Sequence, residues 1–216
     1  MFVNQVTQYL EIFHISRLDR SRFQKKVRIE GWDNYLCARE RGKGVIFGSA
    51  HLGPIALVGQ ILMQNGHDLT LPVEETTSQF MLAVNRARQA QGLRLVPIDS
   101  AIGIHRVLKR GDNLGVLADR AVTGIGERVQ LFGREALIPS AHVALALRTE
   151  AALLPAFAWR EDGMLVARIE PPLALERSGD RDADVHAGVQ RFAAVLERYV
   201  REHPEQWMVF ERMWKT

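Results

Sequence analysis

The sequence predicts an α/β fold, with a mostly parallel central sheet flanked by helices on both faces. Three observations carry this prediction. From Gly44 onward, short apolar runs alternate with stretches whose apolar residues recur at helical spacing. The runs are nearly continuous in their apolar character, as strands covered on both faces are. Turn and helix-stop residues, such as Asn65-Gly66, Gly92 and Gly111-Asp112, divide one from the next.

The elements follow in order. Phe2, Val3, Val6, Leu10 and Phe13 mark an amphipathic helix over 2–15. The basic stretch after it, Arg17, Arg20, Arg22, Lys25, Lys26 and Arg28, reads as a surface helix or a site lying on anionic lipid. Val45–Gly48 is a strand, and Pro54–Gln64 a helix with proline in its first turn. Strands over Leu69–Val73, Leu93–Ile98 and Asn113–Ala118 alternate with helices over Thr77–Gln91 and Ile102–Lys109. Val129–Phe132 is a short strand after a glycine-containing loop, and Ser140–Arg148 a helix. Strands over Ala152–Ala158 and Leu165–Ile169 come next. A helix over Asp184–Glu202 puts Val189, Phe192, Leu196, Tyr199 and Val200 on one buried face. Trp207, Phe210 and Trp214, spaced as on a helix, read with Met208 and Met213 as core or membrane-edge packing.

A chain of 216 residues builds one domain, 1–216, with a real core. It is 47% apolar and 25% charged, which suits an ordinary globular protein. A single cysteine, Cys37, excludes an internal disulfide framework and fits a reducing compartment. Arginine greatly outnumbers lysine, and guanidinium groups suit phosphate or anionic headgroups. No window is long and apolar enough to span a membrane, and the N-terminus is no signal peptide. Membrane contact is therefore expected to be peripheral, through residues 1–28.

The chemistry points to His51, in Gly48-Ser49-Ala50-His51-Leu52-Gly53-Pro54. The imidazole follows a buried strand and precedes a helix, at the sheet end where open α/β folds carry their sites. The helix dipole disfavours imidazolium, so a neutral ring able to accept a proton is expected. A lone histidine so placed more often just satisfies loop backbone groups. Other chemistries fail on spacing. There is no Gly-x-Ser-x-Gly elbow, dinucleotide fingerprint or phosphate loop, and no histidine pair at metal-ligand spacing. Basicity alone is a poor argument for nucleic acid.

The segment Gly42-Lys43-Gly44-Val45-Ile46-Phe47-Gly48-Ser49-Ala50-His51-Leu52-Gly53 resembles the active-site motif of the lysophospholipid acyltransferase superfamily. The branch it is most similar to holds the bacterial lipid A biosynthesis and phosphatidylinositol mannoside acyltransferases. Three more segments agree in order. They are Gly115–Arg120 with Val129–Arg134, Ile138–Ser140 with Ala144–Thr149, and His203-Pro204-Glu205-Gln206-Trp207. The resemblance covers about residues 25–214. It implies a glycerolipid acyltransferase-like fold and transfer of a fatty acyl chain from a thioester to a lipid or glycolipid hydroxyl. His51 would be the general base.

The family's usual acidic partner, five positions after the histidine, is here Ala56. Glu74 or Glu127 is expected in its place, with Glu75 beside Glu74 at the sheet end of His51. Substrate contacts are expected from Gly53, Glu75, Asp119 and Arg120 by their places at strand ends, and the resemblance implies them for Arg86 and Arg88, the arginines binding phosphate oxygens. Backbone amides near Gly53 or in the 120–128 loop are expected to face an oxyanion. No metal or cofactor is expected; the co-substrate would be acyl-CoA or an acyl carrier protein thioester. The protein would act in the cytoplasm, peripheral on the inner face of the membrane. Relatives usually carry a longer N-terminal region with an anchor, so either such a region is missing from this sequence or residues 2–28 serve as a peripheral anchor. Two alternatives remain at this point: a catalytically impaired lipid-binding or partner-binding relative, favoured by Ala56, and a thioester hydrolase using water.

Overall fold

A computed structural model describes residues 2–14, 20–121, 124–210, 213 and 214. Arg17 and the last residue of the first expected helix lie outside the described residues. In chain order the elements are α1 (Phe2–His14), α2 (Arg20–Gln24), β1 (Val27–Glu30), α3 (Trp32–Glu40), β2 (Val45–Ser49) and α4 (Ile55–Gln64). They continue as β3 (Thr70–Val73), α5 (Gln79–Ala90), β4 (Arg94–Pro97), α6 (Ala101–Lys109) and β5 (Asn113–Leu117). The chain ends with β6 (Glu127–Leu131), β7 (Arg134–Ile138), α7 (Ala141–Thr149), β8 (Ala152–Glu161), β9 (Met164–Ile169), α8 (Arg181–Glu202) and a 3₁₀ turn over Pro204–Gln206.

The central sheet has seven strands in the order β1-β9-β8-β2-β5-β3-β4. Its pairs are parallel except β8 with β9. The α/β expectation therefore holds. β2 is central, and every residue from Val45 to Ser49 is buried. Val45 and Phe47 pack with Tyr35 of α3 and Leu62 of α4. Ile46 packs on the opposite side with Leu108 of α6, Val143 of α7 and Phe192 of α8. That is why the strand reads as an unbroken apolar run. Gly48 allows the α8 approach, since a Cβ there would stand 2.9 Å from the Phe192 ring.

Several features differ from the sequence expectation. The basic stretch is helical over α2, but its end is strand β1, because Val27 and Ile29 alternate with Arg28 and Glu30. Arg28 is engaged there by Glu30 and Glu161. β8 and β9 form a hairpin, and Asp162 (φ 49) and Gly163 (φ 77) take the left-handed conformations that a tight two-residue turn demands. Phe132 (φ 55) and Gly133 (φ 71) do the same between β6 and β7. Trp207, Phe210 and Trp214 lie on no helix. Trp207 is extended and bridges to Leu52, and the Met208 amide donates to the His51 carbonyl, so the segment after the 3₁₀ turn is taken up by the loop carrying His51.

Candidate active site

His51 and Asp119 stand at the same level of two neighbouring parallel strands. Ser49 pairs with Leu117 at the ends of β2 and β5, and the Ala118 amide extends the ladder to the Ser49 carbonyl at 2.8 Å. Two residues further, His51 therefore lies opposite Asp119. Asp119 Oδ1 is 2.8 Å from His51 Nδ1, and Oδ2 accepts the His51 backbone N–H at 2.8 Å. Oδ2 also accepts the Trp207 indole N–H at 3.0 Å.

The carboxylate is thus held by three donors. Its side chain is 0% exposed while that of His51 is 26% exposed, so the pair has one sealed end and one open end. Burial by itself would raise the Asp119 pKa. The hydrogen bonds and charge from His51, with the Trp207 indole, outweigh burial and hold the carboxyl below its usual range. An ionised Asp119 requires a proton on Nδ1, which assigns the tautomer and leaves Nε2 as the acceptor.

The C-terminal segment clamps this arrangement. The Gly53 amide donates to the Gln206 carbonyl at 3.0 Å, and the Met208 amide to the His51 carbonyl at 2.8 Å. The Gln206 side chain exchanges two hydrogen bonds with the Arg160 backbone on β8. His203 stacks on Trp159 with centroids 4.8 Å apart. The His-Pro-Glu-Gln-Trp run thus has a physical role, which is to pin the histidine loop and reach the carboxylate. Gly53 allows the closeness: its φ is +59, and a Cβ would fall 2.3 Å from the Ala158 carbonyl oxygen. Its amide is committed to Gln206, so it is not turned toward an oxyanion.

The other candidate residues are distributed as follows. Arg120 directly follows Asp119 and is partly buried. Glu74 and Glu75 are exposed just past β3, at the same sheet end, with β5 between that strand and β2. Glu127 opens β6, and its carboxylate is 3.2 Å from His186 Nδ1 on α8. Arg86 is exposed and turns back to the Leu82 carbonyl. Arg88 lies in the last turn of α5, which leads into the start of β4, at the opposite end of the sheet from His51. The carboxylate against His51 is therefore that of Asp119, expected among the substrate contacts, and not that of Glu74 or Glu127. Trp207, expected to pack, donates its indole N–H to that carboxylate. The signal available for both was positional: His51 and Asp119 each follow an apolar run by two residues, and Trp207 ends the C-terminal signature.

An apolar cavity of about 120 Å³ begins beside this pair and runs under α1 along the α4 and α5 face of the sheet. Ser49 and Leu117, two residues before His51 and Asp119, line one end; Leu69, Leu93, Arg88 and Gln91 line the other. Gly115 and Gly59 keep it open, since a Cβ at either would come within 3.0 Å of a leucine side chain from β3 or from the residue before β4.

All of residues 1–216 match the model of the family described as bacterial lipid A biosynthesis acyltransferase. The chain belongs to that family. It is 25% identical over 210 residues to a phosphatidylinositol mannoside acyltransferase of Mycolicibacterium smegmatis, covering 94% of this chain and 67% of that protein. It is 24% identical over 213 residues to the protein of the same description from Mycobacterium tuberculosis, covering 94% and 66%. The chain thus spans about two thirds of the length of these curated relatives. Among the described residues, no helix of this family member is long and apolar enough to cross a membrane.

Proposed function

We propose that this protein is an O-acyltransferase that moves a fatty acyl chain from a thioester to a hydroxyl of a lipid or glycolipid. The observation that carries the reading is the buried Asp119 carboxylate on Nδ1 of His51, beside an apolar cavity. The acceptor hydroxyl gives its proton to His51 Nε2 as its oxygen forms a bond to the thioester carbonyl carbon. Collapse of the tetrahedral intermediate breaks the C–S bond, and the imidazolium returns the proton to the departing thiolate. Asp119 holds the ring and offsets its charge while that charge exists. With Asp119 in place, Ala56 does not leave the imidazole without an acidic partner, and the binding-only reading loses its main ground.

The donor is an acyl-CoA or an acyl carrier protein thioester, whose chain enters the apolar cavity, and no other cofactor is required. Glu74 and Glu75 lie two strand spacings from β2, roughly 10 Å, close enough for a polyhydroxylated acceptor to reach while bound at His51. Arg120, directly after Asp119, is placed to meet an acceptor phosphate. Glu127, held by His186, shapes the neighbouring β6–β7 hairpin. The outward stripe of α1, Val3, Val6, Leu10 and Phe13, rests on the inner face of the cytoplasmic membrane with Phe80 against Phe13.

The test is transfer from radiolabelled acyl-CoA and acyl carrier protein to a panel of lysolipids and glycolipids, with His51→Ala alongside. Transfer by the wild type that the variant lowers by at least ~10²-fold is expected. Equal transfer by both proteins would overturn the reading, and release of free fatty acid regardless of acceptor would replace it with a hydrolase.

A further inference from the structure

Arg88 is an anomaly in the cavity. The wall is otherwise built mostly from apolar side chains, and its other arginine, Arg168, is paired with Glu30, yet Arg88 lines the inner end beside Gln91. Its side-chain hydrogen bond goes to Asn85 Oδ1 at 3.2 Å, and among the described residues no carboxylate pairs with it. Burial lowers its pKa, a cost only partly offset by Tyr9 of α1. Gln91 is satisfied by the Ile12 carbonyl of α1 and by Gln60 of α4, so the amides next to Arg88 tie the roof and wall together at that end.

Position gives the guanidinium its meaning. Thr70 pairs with Leu114, so Leu69 lies about four residue steps down the sheet from Leu117. At ~3.3 Å per step, the cavity floor is roughly 13 Å from the end that carries His51. An alkyl chain entering beside His51 buries one methylene after another on apolar walls until it meets Arg88. There the next methylene would displace water from a charge that cannot be neutralised, and would offer it no hydrogen bond.

We infer that Arg88 is the floor of the acyl-chain cavity and sets the longest chain the protein accepts. This rests on the reading that the cavity holds the donor's acyl chain. The arginine acts on specificity and not on the reacting atoms. It also separates Arg88 from any phosphate-binding part, because a phosphate near the thioester would lie at the opposite end of the sheet.

The experiment measures binding of S-alkyl pantetheines, butyl to hexadecyl in two-carbon steps, by titration calorimetry. These thioethers carry the arm common to both donors and cannot react. For the wild type, affinity is expected to rise by about fourfold per methylene up to a limiting length and then to stop rising. In Arg88→Leu the limit moves out by at least two carbons, a gain of about fifteenfold for the first chain the wild type rejects. Arg88→Lys, which keeps a charge at the floor, retains the wild-type limit. An unchanged limit in Arg88→Leu, or no limit in the wild type, would overturn the inference. Failure of acyl transfer would not touch this result, because the binding series involves no reaction.

Discussion

The His51 imidazole becomes a directed base through one carboxylate and the three donors that ionise it. Nδ1 is bound, Nε2 is open, and the tautomer follows from Asp119 being charged. Asp119→Asn keeps the shape and removes the charge. Its amide can turn an N–H toward Nδ1, which favours the wrong tautomer. The expected outcome is a fall in kcat of about 10³–10⁴ with little change in KM, as when the aspartate of a serine-protease triad is made asparagine. Initial rates across donor concentrations check this. A variant with near wild-type kcat would mean that another group orients the ring. The spacing of the motif made His51 legible, but not its partner. The acid was expected at Glu74 or Glu127, in loops, whereas the true neighbour is 68 residues away just past the end of the adjacent strand.

At the scale of elements, most strands and helices appear where periodicity placed them, because each buries one face or two in an ordinary way. The exceptions are instructive. β1 was hidden by arginines and lysines, although its Val-Arg-Ile-Glu alternation is that of a strand packed on one side. The hairpins turn at Asp162-Gly163 and Phe132-Gly133, and a phenylalanine with positive φ is not a turn signal that composition offers. At Phe132 the backbone N–H is held by Glu197, and the ring packs near Trp207 and Trp214. The helix α1 carries an element-scale prediction. Ile12 faces inward at 3% exposed, while Val6 and Leu10 face outward at 57% and 55%. Replacing Val6 and Leu10 together by serine should leave the fold intact and weaken sedimentation with anionic vesicles at least about tenfold, given ~25 cal/mol per Å² of apolar surface. Unchanged sedimentation would remove α1 from the membrane contact.

For the whole molecule, stability should depend on pH through a residue outside the His51–Asp119 pair. His142 of α7 is fully buried against Phe192, their ring centroids 4.6 Å apart, and burial pushes its pKa down to about 3. In the unfolded chain the ring takes a proton near pH 6.5, whereas in the folded protein it does so only near pH 3. The unfolded state therefore binds more protons between those values. Stability is full above about pH 6.5 and falls as the pH drops toward 3, by an amount on the order of a few kcal/mol. His142→Leu should flatten that part of the curve. Urea midpoints of both proteins at pH 7 and pH 4.5 measure it, and an equal loss in both would assign the acid sensitivity to other groups.

By itself the sequence determined the α/β class, most of the elements, the buried central strand and the histidine at its end. These depend on local pattern, since an apolar run and a helical period are read within a dozen residues. Only the tertiary structure decided that β5 lies beside β2, and with that order it decided the partner of His51. Strand order is set by how the helices pack over the sheet, in contacts between residues far apart in the chain. The same holds for the Trp207 indole and for the guanidinium at the cavity floor. Each lies on an element whose own sequence describes packing or solvent, and each gains its chemistry from what the fold sets against it.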